Sequence, residues 1–139
     1  MEPSKVKVYV GCSLTHAPEE FRNNVEELKN KLKEVCQVLL FKGLSDDHIP
    51  HDVYVHDIVN CVHECDILVA ICDYPSIGLG WEMSVQAEKR GKPVLAVAHK
   101  DSKISMLILD PQLPGYEFRR YDNLCNDVFN MVVERIKCL

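Results

Sequence analysis

The apolar residues of this chain recur at two alternating spacings, every second position and every third or fourth, which are the periods of a strand and of a helix. Residues 5–10 (KVKVYV) alternate and then open onto Gly11-Cys12-Ser13, which predicts a first strand ending in a loop of small residues. Phe21, Val25, Leu28 and Leu32 mark one face of a helix over residues 18–34. A short run at 38–41 (VLLF) predicts a second strand, and the polar segment GLSDDHIPHD separates it from a helix over 53–63. The unbroken run 66–71 (DILVAI) has the composition of a strand buried on both faces. A helix over 79–90 is closed by Gly91, with Pro93 opening the strand PVLAVA. A short helix at 104–109, a strand at 116–121 and an amphipathic helix over 123–137 complete the series. Five strands alternating with helices predict an α/β fold, a three-layer sandwich with a parallel sheet in the middle.

Composition narrows the setting. A length of 139 residues, 47% of them hydrophobic, suits one domain over residues 1–139 with one sizeable core. Sixteen basic and 21 acidic residues, mixed in sign along the chain, give a formal charge of −5 and speak against a nucleic-acid polymer as partner. No apolar run approaches the roughly 20 residues of a membrane span, and MEPSKVK has no signal-peptide core. The expectation is a soluble, cytoplasmic protein with no membrane partner. Seven cysteines, an odd number with several in apolar segments, fit free thiols in a reducing compartment.

In parallel sheets ligands bind beyond the carboxyl ends of the strands, which selects the loops 11–17, 42–52 and 73–80. In the third loop, Ser76, Gly78 and Gly80 offer a hydroxyl and unobstructed amides just before a helix start, where an anion such as phosphate is favoured. A flexible strand-to-helix turn explains the same residues without a ligand. Glu82 follows at once; an acid in a first helical turn is common for its charge alone, at about 0.3–1 kcal/mol. Together with Ser13 and Thr15 in the first loop, the arrangement suggests more: a carboxylate held at a helix start and expected to stay ionised is a competent nucleophile toward a sugar. Acids and histidines cluster in the middle loop (Asp46, Asp47, His48, His51, Asp52, His56), but their spacing follows no ligand pattern and no metal is expected.

The order VYVGCS, CDILVAICD and PSIGLGWEMSVQAEKRGKPVLAV resembles the nucleoside 2-deoxyribosyltransferase superfamily, and within it the 2′-deoxynucleoside 5′-monophosphate N-glycosidases. The resemblance runs over residues 5–110, and its most specific part is PSxGxG-aromatic-Glu followed by GKPVL. It implies a flavodoxin-like (Rossmann-like) fold with a five-stranded parallel sheet, a homodimer or larger homo-oligomer, and no metal or organic cofactor. The implied activity is cleavage of the N-glycosidic bond of a nucleoside or nucleotide. Glu82 matches the family nucleophile. Ser76, Gly78 and Gly80 match the phosphate loop, Ser13 a serine that contacts the same phosphate, and Ser105 a serine given by a neighbouring subunit. Tyr9, Tyr54 and Trp81 are candidates for the base or sugar pocket, with simple packing as the alternative.

Two positions depart from the family. Its aspartate eight residues before the acid that opens the third strand falls on Ile58, while Asp57 lies one residue earlier; one extra residue before the strand lets Asp57 serve. An arginine of the first loop is replaced by Thr15, which weakens the expected hold on phosphate. Besides the hydrolase reading, a transferase moving deoxyribose between bases and a non-catalytic nucleotide-binding protein remain open, and a flavin carrier is a more distant third.

Overall fold

The computed structural model describes residues 2–40 and 47–139. Strands β1 (Lys7–Cys12), β2 (Gln37–Leu39), β3 (Ile67–Ile71), β4 (Val94–His99) and β5 (Tyr116–Tyr121) pair in parallel in the order β2-β1-β3-β4-β5. The chain thus winds outward in both directions from the β1/β3 boundary, the reversal point where such sheets bind ligands. Phe41, the predicted end of the second strand, lies outside the described residues.

Alternation along the strands divides the core. Val8 and Val10 face one side with Ile67, Val69, Leu95 and Val97; helices α1 (Glu19–Leu32) and α5 (Phe129–Lys137) cover it with Val25, Leu28, Leu32, Val132 and Ile136. Tyr9 faces the other side with Leu68, Ala70 and Ala96, beneath α3 (Ile77–Ser84) and the helical segment that begins with α2 (Pro50–Tyr54). β3 is buried at all five positions, as its unbroken apolar run requires. The result is the expected α/β sandwich around a five-stranded parallel sheet. A last short helix, α4 (Met106–Leu109), lies between β4 and β5.

Three helices contain a wider π turn. α2 continues into one at Val55–Val59, closed by Asn60 N–H donating to the Val55 carbonyl at 2.9 Å. α3 continues into another at Val85–Lys89, and a third at Leu124–Val128 leads into α5. Just past α3, Arg90 donates to the Val62 carbonyl, to the Cys65 carbonyl at 3.1 Å and to Gln86 Oε1 at 2.6 Å, joining the α3 segment to the entry of β3. All seven cysteines are free thiols. Among the described residues no helix is long and apolar enough to cross a membrane.

Candidate active site

A cavity of about 620 Å³ opens at the carboxyl end of β1, lined by the first loop, the Pro75–Leu79 segment, and side chains of the helices on either side. Its volume is in the range of small-molecule sites, roughly 300–1,000 Å³. Tyr9, Ser13, Asp57, Ser76, Gly78 and Glu82 all line it. Six candidates spread over 70 positions of sequence therefore share one wall, because β1, α2 and α3 all end or begin at the reversal point.

Glu82 is only 8% exposed, and its Oε2 has no hydrogen-bond partner. The expectation of an ionised carboxylate at a helix start is corrected here. α3 begins at Ile77, so Glu82 lies in the second turn, where the helix dipole fades and burial dominates. Burial pushes its pKa up to about 8, the negative charge of Asp57 adds to the rise, and a hydrogen bond from the Tyr9 hydroxyl partly offsets it. Asp57 is raised as well, chiefly by burial, with His56 opposing, and its Oδ1 also has no partner. Tyr9 in turn is held well above the usual phenol range by burial and by the Glu82 charge, so it stays a proton donor to the carboxylate.

The register of Asp57 follows from the π turn. Such a turn takes up one extra residue within a helix. Around it Val53 and Asp57 face the cavity while Ile58 turns into the core at 5% exposure. Ser13 is buried, and its Oγ accepts from the His16 N–H at 3.2 Å, bending the first loop over the cavity. Ser76 caps α3, its Oγ accepting from the Leu79 N–H at 3.1 Å. The cap leaves the Ser76 hydroxyl proton and the Ile77 and Gly78 amides for a ligand.

Other candidates do not reach this cavity. Gly78 and Gly80 are two residues apart on one helix, about 200° around its axis, so Gly80 lines a second cavity of about 430 Å³ together with Ser105, Met83 and Ile108. Trp81 points to solvent at 62% exposure and lines neither cavity. Tyr54 also turns away, its ring stacked on His51 at 5.9 Å between centroids. Asp46 of the middle loop lies outside the described residues, among which no group of three His, Cys, Asp or Glu is placed to hold a metal.

Three contributors carry no role in the sequence-based expectations, although Gly11 and Asp73 fall in the loops 11–17 and 73–80. Gly11 falls inside β1, where a Cβ would lie 2.8 Å from Leu79 Cδ1 and 3.1 Å from Glu82 Oε2; a glycine within a strand is the available signal for such close approach. Asp73 anchors the third loop, accepting from the His99 N–H and the Ser102 hydroxyl at 2.7 Å each and from the Tyr121 hydroxyl at 2.8 Å. Lys29 of α1 also lines the cavity, and nothing in the periodicity of α1 distinguishes it from the lysines beside it.

No protein-family model matches the chain. A protein of Thermofilum pendens named "Putative 2′-deoxynucleoside 5′-phosphate N-hydrolase 1" is 38% identical over 85 residues, covering 56% of this chain and 58% of that protein. A protein of the same name from Syntrophotalea carbinolica is 36% identical over 72 residues, covering 52% and 49%. The matches thus span about half the length of these curated relatives. In fold the chain is similar to the Clostridium botulinum CMP N-glycosidase BcmB, with a TM-score of 0.63 at 17% identity over 91% of this chain and 98% of that one. It is also similar to a conserved protein from Enterococcus faecalis V583, with a TM-score of 0.60 at 20% identity over 97% and 99%. By sequence, over about half its length, the chain is similar to two curated proteins of one name, and over nearly its whole length it has the fold of these solved structures.

Proposed function

We propose that the protein hydrolyses the N-glycosidic bond of a 2′-deoxynucleoside 5′-monophosphate, releasing free base and sugar phosphate. The observation that carries this reading is Glu82, a buried acid with one oxygen unpartnered, placed with Asp57 on the wall of a nucleotide-sized cavity. In its ionised form a Glu82 oxygen attacks C1′, the C1′–N bond breaks, and its electron pair leaves on the base with a proton. Asp57, on the same wall of the cavity, relays that proton to the base from a water molecule. The hydroxide left by that water then adds to C1′, the bond to Glu82 breaks, and the carboxylate is restored as the sugar phosphate departs. Ser13, Ser76 and Gly78 hold the phosphate. Tyr9 orients Glu82 and stabilises its charged form. The relatives' names favour water over a second base as acceptor.

A homodimer belongs to the same reading. Ile77 (93% exposed), Trp81, Met106 and Leu107 leave bulky apolar side chains in solvent on α3 and α4, the two helices that flank the second cavity. Apolar surface of this kind is usually covered by a partner. A second copy docked there brings Ser105, exposed at the start of α4, toward its neighbour's site.

The test is a panel of ribo- and deoxyribonucleosides and their 5′-monophosphates, with and without an added base, analysed by chromatography. Free base and deoxyribose 5-phosphate from the deoxynucleoside monophosphates are expected. Turnover only when an acceptor base is present identifies a transferase. Tight binding without base release identifies a nucleotide-binding protein.

A further inference from the structure

α1 packs on the opposite face of the sheet from α3, yet Lys29 lines the same cavity as Glu82 and Asp57. The short β2 permits this. It pairs only with Lys7–Tyr9, so among the described residues Val10–Cys12 have no strand beside them on that edge, and a side chain from α1 reaches around it. Lys29 is the sole lysine or arginine among the described residues that line the cavity.

Its surroundings suit a ligand-binding cation. The side chain is 15% exposed, and its charge is felt at the thiol of Cys12, which lines the cavity, and at that of Cys61 in the core beside it. Its Nζ donates to Glu26 Oε1 at 3.2 Å, an i,i+3 pair whose acid is 64% exposed and free to swing into water. Pairs of this kind contribute little to stability, so a better anion displaces the glutamate easily. Among the described residues Glu26 is its hydrogen-bond partner, and two of the three ammonium donors remain for that anion. The opposing problem is plain: a phosphate close to two negative charges must enter a cavity already holding two acids. The start of α3 supplies only about half a positive charge.

We infer that Lys29 is the specificity-determining cation of the cavity, exchanging its Glu26 contact for the substrate phosphate and so selecting nucleoside monophosphates over nucleosides. This rests on the glycosidase reading for its substrate, though the anion site itself does not. Lys29→Met and Lys29→Arg are compared by steady-state kinetics on a deoxynucleoside 5′-monophosphate and on its nucleoside, and by calorimetric titration with inorganic phosphate and with deoxyribose 5-phosphate.

In Lys29→Met, KM for the monophosphate rises about 10- to 100-fold, the scale of one charge-assisted hydrogen bond, with kcat little changed. The loss falls on the phosphorylated substrate, Lys29→Arg recovers most of it, and both phosphate ligands bind more weakly to Lys29→Met by the same order. Equal losses on nucleoside and monophosphate, or no change in phosphate binding, overturn the assignment. A protein that releases no base but loses phosphate affinity in Lys29→Met keeps its anion site and loses the glycosidase reading. One that releases base and is indifferent to Lys29→Met keeps the glycosidase reading and loses this one.

Discussion

Gly11 lies so close beneath Glu82 that a methyl group on its Cα would stand 3.1 Å from Oε2 of the carboxylate and 2.8 Å from Leu79 Cδ1. The first strand and the acid-bearing helix are therefore fitted to each other beside the proposed nucleophile. Gly11→Ala forces α3 outward. Overpacking of this kind costs about 1–3 kcal/mol, and a displacement of about 1 Å at a reacting group costs on the order of 100-fold in rate. Thermal unfolding and base release measured on the same preparation check both, with the larger effect expected in the rate.

The raised pKa of Glu82 sets a pH dependence. In the proposed mechanism only the ionised form attacks C1′, so kcat/KM is expected to climb about tenfold per pH unit and to level off above the Glu82 pKa of about 8. Asp57→Asn removes the like charge that helps raise this pKa, so the rising limb moves to lower pH even as the plateau falls through loss of the proton relay. A pH–rate series on both proteins reads the shift. A profile that falls across this range assigns Glu82 as an acid instead.

The same shift predicts a cost in stability. Between the ordinary value of 4.5 and about 8 the folded protein retains a proton that the unfolded chain has released. Stability accordingly falls as pH rises through this window, and above it the penalty is complete. Glu82→Gln carries no charge, and its amide oxygen still accepts from Tyr9. The variant is expected to be more stable than the parent by about 5 kcal/mol at pH 9, with the gain fading toward pH 4.5. Denaturant unfolding at the two pH values measures it.

Association is testable at the exposed apolar residues of α4. Met106 and Leu107 lie outside both core clusters, so Leu107→Glu leaves folding intact. The parent is expected to sediment as a dimer and the variant as a monomer with an unchanged circular dichroism spectrum. A parent that sediments as a monomer removes the proposed role of Ser105 in a neighbour's site.

Much of the fold was legible because helix and strand periods are local. The buried run of β3, the stop at Gly91 and Pro93, and the heptad-like spacing of α1 each follow from a few neighbouring residues. The start of α3 was not, since Ser76 caps a helix through its side chain, and the two glycines hide the pattern that would have placed Ile77 in the first turn. That error of two residues moved Glu82 from an exposed helix end to a buried second turn and reversed the expected direction of its pKa. In the candidate site, the motif residues Ser13, Ser76, Gly78 and Glu82 converge on one cavity. Asp57 depended on a π turn that periodicity does not announce, and Lys29 on a β2 that, among the described residues, leaves Val10–Cys12 of β1 without a strand beside them. Trp81 and Gly80 show the converse, because membership of a motif does not fix which side of a helix a residue faces.

The most direct measurement is single-turnover release of free base from a deoxynucleoside 5′-monophosphate at pH 9, run in parallel on the parent protein and on Glu82→Gln. At that pH the parent carboxylate is ionised, the variant is folded, and the two differ by one oxygen that can attack C1′. A rate at least about 1,000-fold lower in the variant is expected, on the scale of losing a covalent nucleophile. Equal rates would show that the bond is broken without Glu82 and contradict its assignment as the attacking group.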